Sequence, residues 1–487
     1  MCIGDNVNSA HGGATLALHA RPSLKTNGVH TRLPTKTNVQ KMVHHMGAAA
    51  EGVVYLRGNL LYMRDDTDVE LPFRQESHFF YLTGVNEPGF HFLYDFNTSR
   101  SFLFVPAVDT DSIVWIGQPD NPDELLAKYD VDEVHYESLL PSVLKSLRPT
   151  TIHALDITDT SVLLPAISSL TPSPQVEISF LRPALAESRL TKQDWEIDLL
   201  RRINRISSDA HERLMREVRP GQNEYEMHAL FVYECARRGA FFQCYAPIVA
   251  SGKAAATLHY NRNNRWLEAE NPYQMLLVDA GAELMCYGSD ITRTYPTGGK
   301  FSAEARVIYN IVEEMQDACY AIIKPGVEWE RVHRTAELVG LRGLVKAGIL
   351  VGNEEELLKS HVTAAFFPHG LGHLLGLDVH DVGGYPAGVE RIQEPGIRYL
   401  RMRRPLQKGM VVTVEPGIYF CDFMIDPVLS DPDTARFINR EVLARYRSVG
   451  GVRIEDDVLI TEDGFENLTT VPRSIEEIER IMAQGKE

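Results

Sequence analysis

Four acidic residues of this 487-residue chain stand inside apolar, strand-like text: Asp279 in LLVDAG, Asp290 in GSDITRT, Glu415 in VVTVEPGIYF and Glu455 in GGVRIEDDVLI. A strand interior is an expensive place for an unpaired carboxylate, so any fold must give these acids partners. Asp279 and Asp290 are eleven residues apart, with a turn expected near residues 284–288. A ribbon folded back there brings both carboxylates to one face. Like charges that close repel, and need a cation or a shared proton. Taken singly, Asp279 starts a turn at DAG, and Glu455 pairs with Arg453 two residues away on the same strand face. Taken together with His373 in PHGLGH, the five side chains make a hard, mostly oxygen donor set. That set suits two Mn2+-like ions better than one zinc. Two divalent ions sharing carboxylates can hold a bridging hydroxide and clamp a developing oxyanion, so the chain reads as a metallohydrolase.

The stretch PHGLGHLLGLDVHD carries His369 and His373 four residues apart, the spacing of a zinc-binding helix. Gly370 replaces the glutamate such a helix needs, and Gly370, Gly372 and Gly376 oppose helix formation. A glycine-rich loop is expected instead, presenting His373 and His380 separately. His369 reads equally well as a core histidine.

The length exceeds what one core serves, so more than one domain is expected. Residues 1–39 are polar and read as a flexible tail. Residues 40–183 alternate strand-like runs (GVVYLRG, FHFLYDF, RSFLFVPA, SIVWIG, TIHALDI, VEISFL) with helical ones, which indicates an N-terminal α/β domain. No glycine-rich phosphate loop follows these strands, so no nucleotide site is expected. A helical stretch then leads into residues 184–487, with Thr191 and Asp194 forming a capping box. The net charge of −17 argues against nucleic acid or an anionic membrane as partner. No apolar run reaches a membrane span, and six cysteines without a CxxC pair point to a reducing, cytoplasmic location.

LLVDAGAELMCYGSDITRTYP, PHGLGHLLGLDVHDVGGYP, VVTVEPGIYF and GGVRIEDDVLIT together resemble the metal-dependent Xaa-Pro peptidases, and FRQESHFFYLTGVNEPG resembles their N-terminal domain. The resemblance runs over residues 40–475 and looks nearest to eukaryotic-type prolidase (Xaa-Pro dipeptidase), with aminopeptidase P next. It implies an α/β N-terminal domain and an α+β "pita-bread" catalytic domain of curved antiparallel sheet. It implies two divalent ions per subunit, Mn2+ by type: Asp279 on one, His373 with Glu415 on the other, Asp290 and Glu455 bridging. A bridging hydroxide would be the nucleophile and Glu415 the proton shuttle. His259 in TLHYN and His380 would steady substrate and oxyanion, and Arg401 in YLRMRR would clamp the carboxylate of a dipeptide, with Arg403 and Arg404 crowding the same place. Arg453 and Tyr245 would stand beside the metals. The run Asn261-Arg262-Asn263-Asn264 departs from the family pattern, and Arg262 is expected to alter the substrate mouth. The resemblance further implies a proline-containing peptide substrate and a homodimer. The expected activity is cleavage of Xaa-Pro dipeptides. The alternative is an aminopeptidase acting on longer peptides with proline second; a metal-free hydrolase or a non-catalytic binding protein on this scaffold ranks behind both, because all five ligands are present.

Overall fold

The computed structural model describes residues 32–107, 110–111 and 113–485. The expected tail lies outside the described residues up to residue 31, but its end does not. Helix Lys36–Met46 begins inside it. Val39, Met42 and Met46 recur at helical spacing and are buried, and Asn38 Nδ2 donates to Tyr81 O at 2.9 Å. Polar neighbours on the outer face obscured that apolar stripe.

The N-terminal half is a six-stranded mixed sheet, ordered Glu133–Tyr136, Arg100–Val105, His91–Asp95, Val53–Arg57, Thr151–His153, Gln175–Glu177. Its three central strands pair antiparallel and the outer ones add in parallel. Helices Pro122–Lys128 and Leu140–Leu147 lie in the connections, as their apolar spacing requires. SIVWIG departs from expectation: residues Ile113–Ile116 form one helical turn, closed by Gly117 N donating to Ile113 O at 2.9 Å. The place beside Arg100–Val105 is taken by Glu133–Tyr136, so this apolar run has no ladder partner.

The linking helices are Leu181–Leu190 and Asp194–Glu217. The second is not capped by Thr191. Glu196 reaches back to accept from Gln193 N at 2.7 Å, while Thr191 ends the first helix and accepts from Lys41 Nζ.

Beyond them every strand pairing is antiparallel. Ile248–Ser251, Met275–Asp279 and Thr292–Pro296 form one sheet; Val411–Val414, Asp456–Ile460 and Phe465–Asn467 another; Gly417–Tyr419 pairs with Gly451–Arg453. Helices Asp194–Glu217, Glu224–Ala236, Ala303–Tyr320 and Trp329–Lys346 cover them, with Ile203, Phe231, Ile308 and Leu344 meeting Leu276, Val412 and Val452 in one apolar core. This is the α/β plus pita-bread arrangement the resemblance implies. A second core joins Phe80 and Leu82 to Tyr287, Leu375 and Leu377, so the two halves share buried apolar contact. Among the described residues, no helix is long and apolar enough to cross a membrane.

Candidate metal centre

Asp279 ends strand Met275–Asp279 and faces Thr292 across the ladder. The chain between them folds back as the hairpin Ala282–Leu284/Tyr287–Gly288, turning at Met285 and Cys286, both with positive φ. Gly281 makes the crossing possible, because a Cβ there would stand 1.7 Å from Ser289 O. The ribbon does bring the two aspartates together: Tyr245 Oη lies 2.5 Å from Asp279 Oδ1 and 2.6 Å from Asp290 Oδ1. Burial, then the charges of both aspartates, raise the Tyr245 hydroxyl well above its ordinary range, so it stays protonated and donates between them.

The histidine segment has no regular helix. It runs beside strand Val411–Val414, with Thr413 N donating to His373 O at 2.9 Å and Glu415 N to Leu371 O at 2.9 Å. Gly372 permits that approach; a Cβ would stand 2.0 Å from Thr413 O. His373 Nδ1 donates to Leu374 O at 3.0 Å, which leaves the Nε2 lone pair facing Asp290 Oδ2 at 3.4 Å and Glu415 Oε1 at 3.5 Å. Glu455 Oε2 accepts from Thr292 Oγ1 at 2.6 Å. Arg453 stands farther from Glu455, at 3.7 Å, and its shortest contact is Asp279 Oδ2 at 2.5 Å. The expected pair of Arg453 with Glu455 is present, as the longer of the two carboxylate contacts this guanidinium makes.

The structure thus gathers all five expected ligands, and three of them, Asp290, His373 and Glu455, present donor atoms within 4.8 Å of one another. Burial and mutual repulsion raise Asp290 and Glu455 well above the usual carboxylate range, and push Glu415 up to about 7. Four acids around one imidazole have only the Arg453 guanidinium as countercharge, and hard divalent cations fit the charge left over.

These ligands line a cavity of about 520 Å³ together with His259, His380, Arg401 and Arg453. The His380 ring meets that of His373 edge-on at 4.5 Å. Its loop is gripped by buried Arg189, which donates to Asp378 at 2.7 Å and Asp381 at 2.5 Å, and by Ser77 on Asp378 at 2.8 Å. Of the three crowded arginines, Arg403 pairs with Glu330 and Arg404 with Glu187, leaving Arg401 to the cavity. Arg262 is not among the cavity-lining residues; its neighbour Asn263 is buried with φ 48° and bonds Val249 N and Pro247 O at 2.8 Å.

Of three further features, sequence reasoning left the first, His369, open between core and site, and missed the other two. His369 is a cavity residue, and Tyr419 links it to Arg453: Arg453 donates to Tyr419 Oη at 3.0 Å, and Tyr419 to His369 Nε2 at 2.8 Å. His369 Nδ1 donates onward to Gly370 O at 2.8 Å, and burial lowers the imidazole to about 3, so it stays neutral. Buried Glu224 was the third. It accepts from Ser251 N, Ser251 Oγ, Tyr260 Oη and Arg265 N at 2.7–2.9 Å, bracing the turn that carries His259. The one signal for Glu224 is its place just after Asn223 at a helix start.

Helix-covered antiparallel sheets with a buried carboxylate–imidazole cluster define a pita-bread metallohydrolase. Residues 198–462 match metallopeptidase family M24, and residues 35–153 match the aminopeptidase P N-terminal domain. The chain belongs to metallopeptidase family M24. It is 45% identical over 460 residues to a probable Xaa-Pro aminopeptidase of Botryotinia fuckeliana, covering 93% of this chain and 98% of that protein. It is 44% identical to one of Paracoccidioides lutzii, covering 93% and 97%. Among solved structures it resembles Pseudomonas aeruginosa aminopeptidase PepP, with TM-score 0.80, 32% identity and coverage of 93% and 99%. Zinc-substituted Escherichia coli aminopeptidase P in complex with product gives TM-score 0.80 at 33% identity, covering 94% and 100%. The expectation that prolidase is nearest is not supported by these matches. The ligand-bearing motifs that suggested it lie around the metal centre, where Xaa-Pro peptidases share their chemistry, whereas the N-terminal match is to aminopeptidase P.

Proposed function

We propose that this protein is an Xaa-Pro aminopeptidase that removes the first residue from peptides with proline second. The observation that carries the reading is likeness to aminopeptidases along both halves of the chain, joined to a complete ligand set in one cavity. Asp279, Asp290, His373, Glu415 and Glu455 would hold two divalent cations, of the Mn2+ type by donor chemistry. Bound cations would supply an activated water and polarise the scissile carbonyl.

The chain's own residues do the rest. Glu415, on the cavity wall with its Oε1 3.5 Å from His373 Nε2, is poised to accept a proton and return it to the departing proline nitrogen. His259 and His380 face the cavity and hold the substrate carbonyl and its developing negative charge. Arg453 and Tyr245 keep Asp279 in place, and Arg401 receives an anionic group of the peptide. The working form is a homodimer in the cytoplasm; the five cysteines among the described residues are all free, which suits a reducing compartment.

Metal depletion tests this. Chelated protein should release no alanine from Ala-Pro-Ala, and Mn2+ should restore release, with full activity at two ions per chain. Full activity in verified metal-free protein contradicts the reading.

A further inference from the structure

The two stretches that carry Glu415 and Glu455 run side by side in one register. Val414 stands opposite Asp456 and Gly417 opposite Arg453, which sets Glu415 opposite Glu455. Between those two ladders the pairing is incomplete. Ile454 N donates to Pro416 O at 3.3 Å, but Pro416 has no N–H to return to Ile454 O. Glu415 N and Glu455 N point away from each other, to Leu371 O at 2.9 Å and to Thr292 O at 3.1 Å. Opposed residues whose amides point outward form the close kind of antiparallel pair, with side chains nearer than in the bonded kind. Two acids are thus set side by side where the ladder is short of a donor.

That donor comes from a helix. Gln316, on the inner face of Ala303–Tyr320, is fully buried, and its Nε2 donates to Val414 O at 3.0 Å and to Ile454 O at 3.4 Å. These are the carbonyls immediately before Glu415 and Glu455. Two carbonyl acceptors fix the orientation of the amide, since only its nitrogen can donate. One turn further on, Tyr320 Oη donates to Asp456 Oδ2 at 2.7 Å, so the same helix holds the second strand again just beyond Glu455. An apolar side chain would fill this core position at less cost; a buried amide is expensive unless its bonds are used.

We propose that Gln316 is a positioning residue for the metal centre: it ties together the backbones that carry Glu415 and Glu455 and so fixes the gap between their carboxylates. This rests on the proposed cation site. Facing carboxylates repel and push their strands apart, and the shared amide resists that push. A site already held at its working spacing loses less on binding cations than one that must first be ordered.

The test follows Mn2+ binding by calorimetry to full-length protein freed of metal. Gln316→Met fills the same space without the donor and should bind Mn2+ about tenfold more weakly, the lower end of what a ligand's supporting partner contributes. Gln316→Asn, whose amide falls one methylene short of the carbonyls, carries the same expectation and serves if the methionine variant does not fold. Ile308→Val, buried on the same helix, removes a methyl group from the core; it should lower the urea midpoint and leave Mn2+ affinity as it is. Affinity within about twofold of wild type in the Gln316 variants overturns the proposal. So does an equal loss of affinity in Ile308→Val, which would mean that any loosening of this helix weakens the site. Wild-type protein that takes up no Mn2+ overturns the proposed cation site itself, and the role of Gln316 with it.

Discussion

Arg453 reaches from strand Gly451–Arg453 to hold Asp279 Oδ2 at 2.5 Å, while its Nε donates to Thr292 Oγ1 at 3.0 Å. Thr292 in turn donates to Glu455. One buried guanidinium therefore orients acids from two separate strands. Removing it adds no obstacle to cations, since the site becomes more negative, but it frees Asp279 to move. Arg453→Met should keep its metal and lose about 10- to 100-fold in kcat/KM, the worth of a charged hydrogen bond. Metal analysis beside kinetics checks this; parallel loss of metal and activity would mean Arg453 builds the site rather than tunes it.

His259 is exposed, and its ring makes no hydrogen bond among the described residues. Its placement comes from the backbone turn that Glu224 and Tyr260 brace. Tyr260→Phe removes one bond from that brace and should lower kcat/KM about 2- to 10-fold. In a His259→Ala background the same change should have almost no effect, because coupled residues do not add. Additive losses would show that the brace does not act through His259.

Acid sensitivity should appear above the pH at which ordinary surface carboxylates titrate. Burial, followed by the Arg189 charge, lowers His78 to about 3, and burial followed by Arg57 lowers His91 to about 4. His78 Nδ1 accepts from Arg189 at 3.2 Å, and His91 Nδ1 lies 2.7 Å from Tyr55 Oη. Both folded values lie below the unfolded one of about 6.5, so their contribution is complete above that pH and is lost as pH falls towards the folded values. The urea midpoint of metal-saturated protein should hold steady above pH 7 and decline from about pH 6.5 down to pH 5. His91→Gln should flatten the decline. A slope unchanged by that substitution would place the acid-sensitive groups elsewhere.

Asn38 bonds Tyr81 O from within the segment that reads as a tail. Asn38→Ala leaves that buried carbonyl unsatisfied and should lower stability by about 1–3 kcal/mol. An unchanged melting temperature would mean that water replaces the amide there.

The five candidate ligands were legible because each breaks a local rule: an acid in an apolar strand, or a histidine among glycines, asks for a partner. The ribbon joining Asp279 to Asp290 was legible from turn text alone. Gln316, Tyr419 and Glu224 were not, since their meaning depends on residues far along the chain. Arg401 could not be told from Arg403 and Arg404 until Glu330 and Glu187 were seen to engage those two. SIVWIG failed for a related reason: apolar text suits a strand only where a neighbouring strand is free to receive it.

Substrate length tests the central claim most directly. The Mn2+-loaded enzyme should release alanine from Ala-Pro-Ala faster than from Ala-Pro, with Pro-Ala as the second product by mass spectrometry. Rapid cleavage of Ala-Pro with Ala-Pro-Ala left intact would contradict the account and return the enzyme to the dipeptidases.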